Sequence, residues 1–240
     1  LRKSVLSLLN GGVPPPTELS AARSRALGIG LVLAVTLVAF ETTAVVTALP
    51  TITDQLHGDS LYGATLSAYM LADIVALVAS GETIDRRGLK LPFAVAICLF
   101  MAGLIVSASA PTMAVVLAGR ILQGAGTGAL APISYSTVKR VFPPERQATM
   151  YAFLSVGWVL PSLLAPALAG IVTDHIGWRW VFLGMLPLGA VIGVFTFGAL
   201  SAVADRPAIA PGTAHPPSRF RHAVRLAAGV GAIVVGLQEA

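Results

Sequence analysis

Gly81-Glu82-Thr83-Ile84-Asp85-Arg86-Arg87-Gly88-Leu89-Lys90 is a charged island between two long apolar runs, residues 61–80 and 91–108. Asp85, Arg86, Arg87 and Lys90 belong in water, because charged side chains are costly in hydrocarbon. With so few residues between the runs, the two flanking segments are expected to form a tight antiparallel pair of membrane spans. Gly81 and Gly88 fall where a chain turns sharply or two backbones approach closely, having no Cβ to clash. Asp85 beside three bases is equipped to hold helix ends together through charge-assisted hydrogen bonds. Read alone, the island fits an ordinary basic loop of a polytopic protein equally well.

Composition settles the solvent. Hydrophobic residues make up 55% of the chain and charged residues 11%, with a mean hydropathy of +0.81. Soluble domains carry about a quarter charged residues, so the chain reads as an all-α integral membrane protein embedded in a lipid bilayer. Cys98 is the single cysteine, which excludes an intramolecular disulfide framework. The pI of about 9.9 would suit a nucleic-acid partner only if the bases gathered on one face. They are divided among short loops instead, which favours a topological reading and no nucleic acid.

Six apolar runs, near 26–49, 61–80, 91–108, 113–134, 148–173 and 180–203, each approach the roughly 20 residues needed to cross a bilayer as a helix. Arg2, Lys3, Arg23 and Arg25 precede the first run; Arg86, Arg87 and Lys90 follow the second; Lys139, Arg140 and Arg146 follow the fourth. The linker and its flank carry Arg206, Arg219, Arg221 and Arg225, whereas the alternate loops hold only Arg179. That alternation places the N-terminus, the charged island and the linker in the cytoplasm. Residues 1–25 are expected to be a flexible tail, since their apolar stretch is too short for a signal peptide and lacks a small-residue cleavage site. Residues 26–203 form the predicted six-helix bundle. Residues 204–222, with Pro207, Pro211, Pro216 and Pro217, read as a linker. Residues 223–240 read as the start of a seventh helix, so the chain is expected to be part of a longer protein.

Three ionisable residues fall inside predicted spans: Glu41, Asp73 and Arg120. Such residues mark a pathway, a relay or an ion pair by default, with a structural tie between helices as the competing reading. At ~1.5 Å per residue, Glu41 and Arg120 both lie roughly 12 Å below the outer interface. They are expected to face one another if their helices are neighbours, with Asp73 deeper. A carboxylic acid in a low-dielectric cavity is able to exchange protons near neutral pH, and an adjacent arginine stays charged and modulates that exchange. Gly124-Ala125-Gly126-Thr127-Gly128 superficially suits a dinucleotide loop, but it lies within a span and follows no strand. Gly124 and Gly128 are better read as a small-xxx-small packing face. His57, His175, His215 and His222 show no metal-ligand spacing. With no nucleophile–base pair and no phosphate loop, neither an enzyme, a cofactor nor a metal centre is expected.

The pattern Gly-x-x-x-Asp-Arg-x-Gly-x-Lys between the second and third spans resembles the signature loop of the major facilitator superfamily. That resemblance implies two inverted three-helix repeats in an N-terminal six-helix bundle, with Gly81, Asp85, Arg86, Gly88 and Lys90 in a gating role. Glu82 stands where the family often has a small or apolar residue. Leu117-Ala118-Gly119-Arg120-Ile121-Leu122-Gln123-Gly124 looks like the fourth-span motif of drug:proton antiporters. The segment from Glu41 to Pro50 is similar to the first-span motif of the fourteen-span branch, with glutamate in place of the usual aspartate. Trp178-Arg179-Trp180-Val181-Phe182 matches the start of the sixth span there. The resemblance implies a part in proton transfer for Arg120; with it, Glu41 and Asp73 are the proton-coupling candidates, and Thr43 and Gln123 are expected to reach the substrate cavity. In the fifth span, Ala165 and Ala169 replace glycines of the antiporter motif, while Pro166 and Gly170 are retained for a kink and a helix contact. The expected function is therefore proton-coupled export of drug-like small molecules across the cell membrane, completed by a C-terminal half. A narrow-substrate sugar or organic-acid carrier of the same fold, and a non-transporting six-span protein, are the alternatives.

Overall fold

The computed structural model describes residues 20–201. The expected linker at 204–222, the start of a seventh helix at 223–240 and most of the N-terminal tail lie outside the described residues. The elements, in order, are α1 (Ala21–Gln55), a 3-10 turn (Asp59–Leu61), α2 (Tyr62–Arg87), α3 (Lys90–Ala108), α4 (Met113–Val141), α5 (Pro144–His175), α6 (Arg179–Leu183) and α7 (Met185–Ser201). Among the described residues, six helical segments are long and apolar enough to cross a membrane, the last formed by α6 and α7 together.

Helix ends do not coincide with the ends of the apolar runs. Ser20 caps α1 by accepting a hydrogen bond from the Arg23 backbone N–H, so residues 21–25 are helical rather than part of the tail. At the other end α1 continues through Pro50 to Gln55. Proline removes one donor, but buried Leu49 and Ile52 still pack on the core, and Thr53 donates to the Leu49 carbonyl. Most of the charged island is helix as well. α2 runs to Arg87 and α3 begins at Lys90, leaving only Gly88 and Leu89 between them. Gly88 supplies the turn, with φ at +81°, and its N–H closes α2 on the Ile84 carbonyl at 3.0 Å. Gly81 sits inside α2, and a Cβ built there meets nothing within 4 Å among the described residues. The close approach expected at Gly81 is not made within this bundle.

The short connection joins α2 and α3 without pairing them. Each packs chiefly against α4, and the two leave a groove of about 750 Å³ floored by Ile121, Ala125 and Ala129 of α4. Glycines on α4 explain this. A Cβ at Gly124 or Gly128 would collide with the Tyr69 or Asp73 carbonyl of α2, and one at Gly126 with the α3 backbone at Phe100 and Ala96. Backbone approach of this kind is the usual basis of helix association where lipid removes the hydrophobic driving force. A loop of fixed length constrains only the ends of two helices, whereas the α4 glycines fix their whole course.

The packing repeats with inverted sense. α1 lies against α5 and α7 as α4 lies against α2 and α3, which is the exchange of one three-helix unit for the other. A small contact repeats too: Gly30 of α1 abuts the Thr196 hydroxyl of α7, and Gly119 of α4 abuts the Ser107 hydroxyl of α3. The first pair sits at the end of the bundle that carries the basic residues, the second at the opposite end. Apolar packing falls into two clusters. Along α4, residues 120–127 lie between Val116 of one cluster and Ala129 of the other, and the polar layer described below is built there. In α5 the helix continues through Pro161 and Pro166, and Gly170 faces open space among the described residues rather than a neighbouring helix.

Gly128→Val is expected to lower stability by roughly 1–3 kcal/mol, since the added carbons meet backbone that cannot turn aside. Gly198→Ala, whose new methyl group meets nothing within 4 Å, is expected to be neutral or to stabilise by up to about 1 kcal/mol. Thermal unfolding of the two purified variants in detergent, followed by tryptophan fluorescence, measures the difference.

Candidate functional site

Three helices contribute to one buried polar layer. α1 brings Glu41 and Thr42; α2 brings Tyr69 and Asp73, one turn apart; α4 brings Arg120, Gln123 and Thr127 on one face. The Arg120 Nη1 donates to Glu41 Oε1, closing the ion pair between α4 and α1. The same nitrogen donates to Gln123 Oε1 at 2.6 Å. Above the pair, the Arg120 guanidinium carbon stands 3.9 Å from the centroid of the Tyr69 ring. Glu41 and Gln123 are 0% exposed and Arg120 1%, so both charges are withdrawn from solvent. The cation is thus held by one carboxylate, one amide and one aromatic face.

A run of hydroxyls leads away from this pair. The Tyr69 hydroxyl is 2.9 Å from Thr42 Oγ1 and 3.1 Å from Thr127 Oγ1. Thr127 in turn donates to Asp73 Oδ1 at 2.9 Å. Asp73 is half-buried, with its own backbone pressed against Gly128. Within the layer, Glu41 Oε2, Arg120 Nε and Gln123 Nε2 make no hydrogen bond among the described residues. Glu41 therefore keeps a second carboxylate oxygen whose lone pairs are not engaged, and a proton placed there would cancel the charge that balances Arg120.

All three intramembrane ionisable residues thus belong to one constellation: Glu41 and Arg120 in direct contact, Asp73 through Thr127 and Tyr69. Gln123 is a buried partner of Arg120. Thr43 is half-buried and donates its hydroxyl to the Ala39 carbonyl of its own helix at 3.0 Å. Tyr69, Thr42 and Thr127 were not singled out by sequence reasoning. The available signal was the four-residue spacing of Tyr69 and Asp73, which stacks them on one face of α2.

The charged island forms a second, separate cluster. Arg140, at the end of α4, donates to Asp85 Oδ1 at 3.3 Å. Arg86 bonds Glu82 Oε1 at 2.7 Å within α2, so the unusual Glu82 has a partner. At the opposite end of the bundle, buried Trp178 donates from Nε1 to Gln55 Oε1 at 3.0 Å. Arg179 stacks 4.3 Å from the Trp178 ring and donates to the Ala110 carbonyl at 3.0 Å. The sixth-span motif therefore ties α6 to the end of α1 and to the α3–α4 connection.

Residues 31–237 match the sequence model of the Major Facilitator Superfamily. "Multidrug resistance protein 3" of Bacillus subtilis is 31% identical over 175 residues, covering 73% of this chain and 34% of that protein. The "putative multidrug resistance protein MdtD" of Yersinia enterocolitica is 35% identical over 152 residues, 63% of this chain and 32% of that one. The chain thus spans about a third of the length of these curated relatives. Among solved structures, the proton:xylose symporter XylE aligns with a TM-score of 0.67 at 13% identity, covering 92% of this chain and 54% of XylE. The peptide transporter POT in complex with sulfate aligns with a TM-score of 0.62 at 20% identity, over 87% of this chain and 46% of that one. At such identities the likeness establishes the fold. Six membrane-capable helices, inverted packing of two three-helix units and the matched family model together show that this chain belongs to the major facilitator superfamily and is an integral membrane protein.

Proposed function

We propose that the full-length protein of which this chain forms a six-helix bundle exports drug-like or amphipathic small molecules in exchange for protons, by alternating access. The observation that carries this reading is the solvent-shielded Glu41–Arg120 pair, with Glu41 Oε2 left without a hydrogen bond. A proton loaded onto Glu41 from outside releases Arg120 from its counter-charge and favours return to the inward-facing state. Loss of that proton inside restores the pair and permits substrate to bind. Substrate lies near the midplane between this bundle and the remaining half of the transporter, where Thr43 and Gln123 are the proposed cavity residues. The names of the relatives from Bacillus subtilis and Yersinia enterocolitica support the drug-like substrate class.

The basic end of the bundle is assigned to the cytoplasm of the cell membrane, because bases concentrate on that side of short loops. There the Asp85–Arg140 pair joins α2 to α4, and Gly81, Arg86, Gly88 and Lys90 complete the gating segment that stabilises one of the two states. Gly124 and Gly128 are proposed to keep α2 and α4 moving as one body; Pro166 and Gly170 lend α5 its bending freedom. A narrow-substrate carrier is the second reading. It is favoured by Ala165 and Ala169, both buried in the core where a glycine pair would bend more readily. Proton flux in the same direction as substrate would establish it.

Glu41→Gln in the full-length protein, reconstituted in proteoliposomes, is expected to abolish substrate-driven proton movement while the protein stays folded. Undiminished counterflow would show that Glu41 is not the coupling acid. Arg120→Leu is expected to cost roughly 3–5 kcal/mol, because it leaves a buried carboxylate without its cation. The double variant Arg120→Leu with Glu41→Leu is expected to recover most of that loss, and chemical denaturation in detergent measures both.

A further inference from the structure

We propose that Tyr69 and Thr127 form a hydroxyl bridge through which the proton occupancy of Asp73 is felt at the Glu41–Arg120 pair, making Tyr69 a positioning residue that works at both ends. This deepens the proton-coupling reading and rests on it for its role in transport. The bridge itself stands on geometry.

Thr127 Oγ1 lies 2.9 Å from Asp73 Oδ1, 3.1 Å from the Tyr69 hydroxyl and 3.2 Å from the Gly124 carbonyl, yet it owns a single proton. An ionised Asp73 only accepts. Thr127 must then give its proton to Asp73 and receive one from Tyr69, and Thr42 is left to donate to the Tyr69 oxygen across 2.9 Å. A protonated Asp73 can donate instead. Thr127 then turns its proton to Tyr69 or the Gly124 carbonyl, Tyr69 turns its own to Thr42, and Thr42 donates to the Val38 carbonyl at 2.9 Å. Every acceptor needed for both orders is in place, so the reversal requires rotation of O–H bonds and no movement of a helix.

The reversal reaches Arg120 through the ring. When the chain ends on a carboxylate, each hydroxyl polarises the next, and the phenol that donates into that chain becomes richer in electrons. A guanidinium 3.9 Å from the ring centroid is held more firmly by such a ring. When the chain starts from a neutral acid, the polarisation is lost and Arg120 leans on Glu41 and Gln123. Linkage makes the effect mutual, so the state of the Glu41–Arg120 pair also biases Asp73. The charged and titratable groups facing this bridge are Arg120 from α4 and Glu41 from α1. The neighbouring α3 carries Lys90 at its first residue and an exposed Cys98, and Asp59 of the 3-10 turn stands at the far end of α2.

Infrared difference spectra of the full-length protein in lipid bilayers, recorded against pH, follow the carboxylic C=O band of each acid; Glu41→Gln and Asp73→Asn assign the bands. Asp73→Asn is expected to move the Glu41 midpoint by on the order of one pH unit, the scale of coupled sites. In a Tyr69→Phe background, which keeps the ring, and in a Thr127→Val background, that response should fall to less than about half, and Thr127→Ser should restore it. An undiminished response in both backgrounds would mean coupling through space and would overturn the bridge. So would an Asp73 band that does not titrate between about pH 4 and pH 10. The spectra do not depend on transport. Coupled bands in a protein that moves no protons with substrate would overturn the antiport reading and leave the bridge standing.

Discussion

Arg120 cannot discard its charge, because a guanidinium stays protonated even where water is excluded. A chain that buries it must therefore deliver compensation from several directions at once. Here the carboxylate comes from α1, the amide oxygen from the next turn of α4, and the aromatic face from α2. No two helices suffice. The requirement that α1, α2 and α4 all reach one point explains the backbone-to-backbone seam of Gly124 and Gly128 against Tyr69 and Asp73. A side chain at either glycine would push α2 away and with it the ring that covers the cation. The small residues and the charged layer are thus one design constraint expressed twice, once in packing and once in electrostatics.

The ends of the bundle are held by contacts of different kinds. At the basic end, the Asp85–Arg140 pair is substantially exposed, and pairs of that sort are worth about 0–1 kcal/mol. Such a contact can be made and lost with little consequence for stability. At the other end, Trp178 is buried with its indole N–H bonded to Gln55 and Arg179 stacked on its ring. Undoing that arrangement would strand a buried donor and expose a large aromatic surface. The polar contact at the tryptophan end is therefore an anchor in its own right, whereas the ion pair at the basic end adds little to the apolar packing of Ile84, Phe93, Val138 and Phe142 there.

Sequence revealed the number of spans and the Glu41–Arg120 contact for one reason: both follow from counting along a helix with known rise. Equal depth from the same interface is arithmetic, and opposite charge supplies the attraction. Neighbour relations were harder. The short charged island between the second and third spans invited a tight α2–α3 pair, but Gly124, Gly126 and Gly128, further along the chain, decided otherwise by drawing α4 against both. Helix limits at Ala21 and Gln55 escaped because a span does not end where hydrophobicity ends, and neither Ser20 capping nor continuation through Pro50 registers in hydropathy. Tyr69 and Thr127 escaped because a tyrosine or threonine in an apolar helix is commonplace. Only the meeting of α2 with α4 turns these hydroxyls into a chain.

The charged layer departs from the inverted repeat. Exchanging the two three-helix units swaps α1 with α4 and turns depth upside down, so contacts away from the axis occur in pairs at opposite ends. Gly30 against Thr196 and Gly119 against Ser107 are such a pair. Only residues near the axis can meet their own counterparts, and an axis lying in the membrane plane puts that meeting at the midplane. Glu41 and Arg120 are not such counterparts: in the register set by Gly30 and Gly119, Glu41 corresponds to Leu130 and Arg120 to Leu31. Both counterparts are buried leucines of one apolar cluster. The charged pair therefore has no mirror image at the basic end, which makes the two ends of the bundle chemically distinct. The pair lies on the side of the axis away from the basic residues and is withdrawn from solvent, where a change in proton occupancy has a large electrostatic effect on the helices around it.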